Sequence, residues 1–82
     1  MNKQDLEILK AIETSSPTSF VSAIEVSDKV KTDRNKLGDQ LMVLKMSGLV
    51  DITTKEFISS MTLPNFIAKV RITEQGVKAL KK

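Results

Sequence analysis

The side chains best suited to contact nucleic-acid bases are concentrated in one short stretch, DRNKLGDQ at positions 33–40. Arginine and lysine donate hydrogen bonds to guanine O6 and N7, and side-chain amides pair with adenine N6 and N7. A carboxylate in such a place repels phosphate unless it accepts a hydrogen bond from cytosine N4, and this applies to Asp39. The candidate base-contacting residues are therefore Arg34, Asn35, Lys36 and Gln40.

Other kinds of site chemistry are poorly represented in the chain. It contains no histidine and no cysteine, so the usual general base near neutral pH and the usual zinc ligands are both missing. The ten acidic residues are scattered, and Gly38, Gly48 and Gly76 are too far apart for a phosphate-binding loop. We therefore expect a protein that is not an enzyme and that has no cofactor and no metal.

Length and charge narrow the class of protein further. The chain has 82 residues, a net charge of +3 and an isoelectric point near 9.3, which predicts one small domain over residues 1–82 and mildly favours a polyanionic partner. No apolar run reaches the roughly 18 residues of a membrane span. The first residues, MNKQDLEILK, contain no signal-peptide apolar segment. We expect a cytoplasmic protein that does not bind membranes.

Three helices are predicted in the first fifty residues from apolar side chains at helical spacing. Ser22 and Glu25 have the spacing of a capping box for the second helix, and Asp33 is the expected cap of the third. The helices are predicted at residues 3–14, 23–30 and 33–47, with a short extended pair at residues 20–21.

Leucine and isoleucine spacing predicts which helix faces are buried. Ile8 is placed beside the first stripe, as a flank residue available to a partner chain. Gly48 follows the third helix, where a glycine with positive φ often ends a helix. The predicted inward-facing residues are Leu6, Leu9 and Ile12 in the first helix and Leu37, Leu41 and Leu44 in the third.

A hairpin and a short helix are predicted for the second half of the chain. Strands at 49–54 and 66–72 are joined by the connection 55–65, and Thr73 caps a helix over residues 74–80. Alternation along the second strand gives two faces. Phe66, Ala68, Val70 and Ile72 are predicted on one face, and Ile67, Lys69 and Arg71 on the other.

The order of these elements resembles a winged helix-turn-helix domain. A capped short helix, a tight turn, a longer helix ending in S-G-L-V and a β-hairpin follow one another. The ending KVRITEQGVKAL at positions 69–80 is similar to the L-T-x-x-G-x-x-x-L segment of MarR-like, PadR-like and ArsR-like prokaryotic transcription regulators. The resemblance implies an α+β, mostly helical fold with a three-helix core, a β-hairpin wing and a short C-terminal helix.

The resemblance also implies a partner and a mode of binding. Members of these families bind double-stranded DNA, usually as homodimers, with the third helix in the major groove and its first half on the base edges. Under this interpretation the four candidate residues contact bases, and a second set contacts phosphates. The expected phosphate contacts are Ser22, Lys29, Lys31, Lys69 and Arg71.

Two apolar groups depart from the pattern of a simple DNA-binding domain. Counting about 100° per residue from Leu37, three apolar side chains of the third helix fall far from its leucine stripe. The connection 55–65 is equally apolar near its tip. The wing can fold back on the helix, a second copy of the chain can cover the patch, or another protein can bind there. The candidate interface residues are Met42, Val43, Met46, Phe57, Ile58 and Met61.

Overall fold

Helices and short strands alternate along the chain in a computed structural model, which describes residues 2–57 and 61–81. This arrangement confirms the predicted α+β, mostly helical, winged-helix fold. No helix within these two ranges has the length and apolar character needed to cross a membrane. The elements are α1 Lys3–Ser15, β1 Val21–Ser22, α2 Ala23–Val30, α3 Arg34–Met46, β2 Val50–Thr54, β3 Ile67–Ile72 and α4 Glu74–Leu80.

The helix starts differ in how their first backbone N–H groups are satisfied. Asp33 caps α3 as predicted, because its Oδ1 accepts a hydrogen bond from the Asn35 N–H at 2.7 Å. A capping box that the sequence analysis missed begins α1, where Asn2 and Asp5 accept from each other's N–H groups. The predicted capping box of α2 is wrong, because Ser22 makes no side-chain cap hydrogen bond.

The sheet has the order β1-β3-β2 and is antiparallel throughout. Val21 pairs with Val70 on one side of β3, and Val50 pairs with Ile72 on the other. The central strand therefore ties the start of α2 to the wing hairpin, which β2 and β3 form. This pairing confirms the short extended segment predicted before the second helix.

The start of β3 departs from the predicted alternation. The register shifts by one residue where Thr53 pairs with Lys69 but Thr54 pairs with Ile67. This irregularity turns Ile67 into the core beside Ala68, so the predicted outward position of Ile67 is wrong. Phe66 has a φ of 72°, lies before the strand and is partly exposed, so its predicted inward position in the strand is also wrong.

The hydrophobic core joins α1, α2, α3 and the inner face of the sheet. The stripe Leu37, Leu41 and Leu44 is buried as predicted. In α1 the buried arc is rotated by one position, because Ile8 is fully buried while Leu6 is partly exposed. The predicted availability of Ile8 to a partner chain is therefore wrong. The core residues are Ile8, Leu9, Ile12, Ala23, Val26, Leu37, Leu41, Leu44, Val50, Leu63, Ile67, Val70 and Ile72.

The end of α3 is joined to the start of α4 by a small hydrogen-bonded network. Gly48 has a φ of 79°, and the N–H groups of Gly48 and Leu49 donate back to Lys45 and Leu44 carbonyls, which closes the helix. Thr73 caps α4 by accepting from the Gly76 N–H at 3.1 Å, and its hydroxyl donates to the Gly48 carbonyl at 2.7 Å. These contacts confirm both predicted helix ends.

Candidate nucleic-acid interface

The first turn of α3 presents its polar side chains to solvent. Arg34, Asn35 and Lys36 are all exposed, and the Asp33 cap fixes where the turn begins. Behind this turn, Leu37 is fully buried and anchors the helix in the core. The candidate base-contacting residues of this turn therefore lie on a rigid element rather than on a loop.

The outer face of α3 has a centre line and two flanks. At about 100° per residue from Leu37, Asn35, Asp39 and Met42 lie at about 160°, 200° and 140°, opposite the buried stripe. Arg34 and Lys36 lie at about 60° and 260°, one on each flank. The helix therefore offers an amide and a carboxylate at its centre and one cation on either side.

Gln40 is placed less favourably than the first-turn residues. It is half-buried at the side of α3, and its Oε1 is buried and accepts no hydrogen bond within the described chain. Together with Asp39 and Val43 it lines an open cleft against Asn2 and Asp5 at the start of α1. A contact between Gln40 and a base requires this side chain to turn outward.

The two lysines of the turn region lie against α1. The Lys29 ammonium donates a hydrogen bond to Ser15 Oγ at the end of α1. Lys29 and Lys31 line an open groove of about 390 Å³ together with Lys10 and Glu7. The structure thus groups these cations with α1, while Arg34 and Lys36 stand on α3.

The turn between α2 and α3 is held by polar residues that the sequence analysis did not single out. Ser27 is buried, and its hydroxyl donates to the Thr32 carbonyl at 3.1 Å. Gln4 Nε2 of α1 donates to Thr32 Oγ1 at 3.3 Å. A serine three residues before the end of an amphipathic helix is a weak signal, because most such serines face solvent.

The outward residues of β3 differ in what they can contact. Lys69 is exposed on the outer face of the sheet. Arg71 is engaged, because its guanidinium lies 2.7 Å from a carboxylate oxygen of Asp51 and 4.9 Å from the ring centroid of Phe20. The predicted phosphate contact of Arg71 is therefore opposed by an ion pair that already uses its charge.

Ser22 does not offer its hydroxyl to a ligand. Its Oγ is buried and has no hydrogen-bond partner among the described residues. The residue belongs to β1, where it pairs with Lys69. A contact between the Ser22 hydroxyl and a phosphate requires this side chain to turn outward.

The segment that leads into β3 packs against the body of the domain through Leu63 and Asn65. Leu63 is fully buried, and the Leu63 N–H donates to the Ile67 carbonyl at 2.8 Å. The side chain of Asn65 lies directly on Gly38 of α3, where an added methyl group would come within 2.8 Å of Asn65 Cγ. Neither residue was predicted to contact the core, because both fall in the long connection.

The apolar surface of α3 and the wing stays open over the described residues. Met42, Val43 and Met46 are 38%, 58% and 84% exposed, and Phe57 and Met61 are 78% and 60% exposed. The fold-back alternative is therefore wrong for Met46 and Phe57 within the ranges that the structure covers. The sixth candidate interface residue, Ile58, lies outside the described residues.

Acidic side chains within the described ranges are used singly rather than in clusters. Asp5 and Asp33 cap helices, and Asp51 pairs with Arg71. No group of three acidic residues in these ranges is close enough to hold a metal ion.

Comparisons with known proteins return similar structures but no related sequences. No protein-family model matches the chain, and no curated protein matches it. The first three similar solved structures each cover 99% of this chain, at 14–17% identity and TM-scores of 0.72–0.76. At this identity the likeness establishes the winged-helix fold and nothing finer.

These three structures are bacterial regulators of about twice the length. BpsR of Bordetella bronchiseptica, whose DNA binding is regulated by 6-hydroxynicotinic acid, matches at 14% identity and a TM-score of 0.76 over 50% of its chain. The oxidised form of MarR from E. coli matches at 17% and 0.74 over 51%. PcaV, a transcriptional regulator from Streptomyces coelicolor in complex with its natural ligand, matches at 17% and 0.72 over 51%. The chain thus spans about half the length of each structure.

Proposed function

We propose that this chain is a sequence-specific domain of a transcription regulator that binds double-stranded DNA, with α3 in the major groove. The observation that carries the proposal is the exposed first turn of α3, where Arg34, Asn35 and Lys36 stand on a capped and core-anchored helix. The winged-helix fold, shared with BpsR, MarR and PcaV, supports the same interpretation.

The dimensions of the outer face suit a DNA groove. A helix with side chains is about 10–12 Å across, and the major groove is about 12 Å wide. When the centre line of α3 faces the base edges, the flanking residues Arg34 and Lys36 approach the two phosphate walls. Asn35 then faces adenine N6 and N7, and Asp39 is tolerated only where a cytosine N4 donates to it.

Phosphate contacts outside α3 complete the proposed interface. Lys69 offers an exposed ammonium on the wing strand, and Lys29 and Lys31 form a cationic groove with α1. Arg71 is not assigned to DNA because Asp51 holds its guanidinium. Together with Arg34 and Lys36, these residues give about five phosphate contacts for one bound domain.

A homodimer on two half-sites is part of the proposal. One small domain contacts few base pairs, and helix-turn-helix proteins commonly gain affinity by binding as two-fold dimers. The exposed residues of α1 and α4 are the proposed contact surface, because the first and last helices usually form the dimer in the regulator families that the sequence resembles. Sedimentation equilibrium measures this directly, and a monomer at the highest soluble concentration would refute the dimer.

The DNA proposal is tested by the salt dependence of duplex binding. Fluorescence anisotropy with a labelled random-sequence duplex should give a log–log slope of Kd against salt of about 4.5 in magnitude, at about 0.9 per phosphate contact for five contacts. Arg34→Ala and Lys36→Ala should each weaken binding several-fold and reduce the slope by about one. Lys45→Ala removes the same charge from the last turn of α3, away from the first turn and from the proposed dimer surface, and is the matched control.

Two results would contradict the proposal at different levels. No detectable duplex binding at low salt would refute DNA binding as the function. Equal effects of Arg34→Ala and Lys45→Ala would refute the placement of the first turn of α3 while leaving non-specific DNA binding in place.

A protein-interaction module is the second candidate function. It is favoured by the wing, where Phe57 is 78% exposed and Met61 is 60% exposed, whereas a DNA-contacting wing usually carries arginine or lysine at its tip. Under this alternative, substitution of Phe57 weakens partner capture and leaves duplex affinity unchanged.

A further inference from the structure

One apolar side chain stands on the part of α3 that would face bases. Met42 lies at about 140° on the helix, close to the centre line defined by Asn35 and Asp39, and is 38% exposed. The buried stripe is on the opposite side, with Leu41 and Leu44 in the core. The exposed part of the Met42 side chain therefore does not pack in the core.

Distance along the helix separates Met42 from the other exposed methionine. At 1.5 Å per residue, Met42 lies about 10 Å beyond Asn35 and Met46 about 17 Å beyond it. Helix-turn-helix proteins contact base edges through the N-terminal part of the recognition helix. Met42 is therefore the methionine closer to the base-contacting part of α3, and Met46, the last residue of α3, lies beyond it.

The surroundings of Met42 favour DNA over a protein as its occupant. The flanking residues Arg34 and Lys36 carry the charge that two phosphate walls require, and they lie on either side of the line that contains Met42. Val43, by contrast, lines the cleft beside Asp5 and Asp39, where two carboxylates oppose the approach of a phosphate.

We propose that Met42 is a specificity-determining residue that contacts the C5-methyl group of a thymine in the major groove. The only apolar group that a base pair displays there is this methyl group, and the unbranched thioether of methionine adapts to its position. The domain then selects a thymine some three base pairs along the groove from the base that Asn35 contacts, at 3.4 Å per base pair along the axis. This inference rests on the proposed DNA-binding function.

The test removes the methyl group from the DNA and leaves the protein unchanged. Duplexes enriched from a random-sequence library by repeated selection on the full chain are resynthesised with each thymine replaced singly by deoxyuridine, which pairs identically but lacks the C5-methyl. Replacement of the contacted thymine should weaken binding about fourfold, the equivalent of ~0.8 kcal/mol for one buried carbon group. Binding of Met42→Ala should change by less than about twofold for the same replacement.

Met46→Ala is the matched control, because it removes the same side chain from the same helix beyond its base-contacting part. It should retain the full fourfold dependence on the thymine methyl. Circular dichroism checks the fold of each variant, and Met42→Gln, which keeps the length of the side chain, replaces Met42→Ala if the latter unfolds.

The outcomes separate this inference from the proposed function. Salt-dependent, sequence-selective binding without any thymine-methyl effect overturns the role of Met42 and leaves the DNA proposal standing. An undiminished methyl effect in Met42→Ala assigns the contact to another side chain and also overturns the inference. If Met42→Ala alters only the oligomeric state, a second copy covers Met42 and the inference is wrong. Failure to enrich any sequence refutes both proposals.

Discussion

The hydroxyl of Thr73, directly after β3, forms hydrogen bonds both to α4 and to the loop that leaves α3. Its Oγ1 accepts a hydrogen bond from the Gly76 N–H at 3.1 Å and donates to the Gly48 carbonyl at 2.7 Å. The first bond caps α4, and the second fixes the loop that leaves α3. Replacing Thr73 by valine keeps the shape of the side chain and removes both hydrogen bonds, so it isolates their contribution to stability.

The two hydrogen bonds determine the expected loss in the free energy of unfolding. Removal of a threonine N-cap costs about 1 kcal/mol, and the loss of the donor to a partly buried carbonyl costs about 1 kcal/mol more. The total of about 2 kcal/mol is a large share of the roughly 4–12 kcal/mol expected for a chain of 82 residues. It corresponds to a fall in Tm of about 8–16 °C.

Urea unfolding followed by circular dichroism at 222 nm measures this difference in the free energy of unfolding. Thr73→Ser is the matched control, because it retains the hydroxyl and loses only a methyl group, and it should cost under about 1 kcal/mol. A loss below 0.5 kcal/mol for Thr73→Val, or equal losses for valine and serine, would refute the reasoning; about 0.5 kcal/mol is the low end for an N-cap.

Two further substitutions test contacts elsewhere in the domain. Gly76→Ala should destabilise the protein by about 2 kcal/mol or more, because the new Cβ would clash with the Leu49 carbonyl oxygen and lie 2.7 Å from Ile72 Cγ1; a neutral effect in urea unfolding would show that α4 can move away. Arg71→Ala should cost about 1 kcal/mol of stability, since the ion pair with Asp51 is about half exposed, and duplex affinity should stay within about twofold; a larger loss of DNA binding would contradict the assignment of Arg71 to the sheet.

The features that could be predicted from the sequence depend on residues that lie close together in the chain. Asp33 was recognisable as a cap because a short acceptor directly precedes a helical pattern. The leucine stripe of α3 follows from its spacing alone. The same holds for the role of Thr73, which precedes the glycine of its motif by three residues. Each of these features depends on neighbours within about four positions in the chain.

Features set by distant neighbours were missed or wrong. Ser22 has the correct spacing for a capping box, yet it pairs with Lys69 in the sheet and its hydroxyl makes no cap hydrogen bond. Ile67 faces the core because the register shifts opposite Thr54, and alternation within one strand does not show such a shift. Leu63 reads as a loop residue, although a turn closed by the Leu63 and Ile67 backbones carries it into the core.

The candidate site shows the same division between local and distant information. Residue types indicated the first turn of α3, and the structure shows these side chains exposed. The engagement of Arg71 by Asp51, twenty positions away in sequence, was not visible in the chain. Charge counting by segment therefore overestimated the cations available on the wing strand.

The contact of Asn65 with Gly38 fixes the spacing between α3 and the wing. Because the Asn65 amide fills the space where a side chain at position 38 would stand, the gap between α3 and the wing is determined by packing inside the protein. Under the proposed function, a duplex that contacts both α3 and the wing must match this gap with its own groove width. Stiff and flexible base steps differ in the deformation energy that this match requires. Under the proposed DNA binding, a larger side chain at position 38 would change this gap and with it the DNA shapes that fit, although no candidate base-contacting residue is altered.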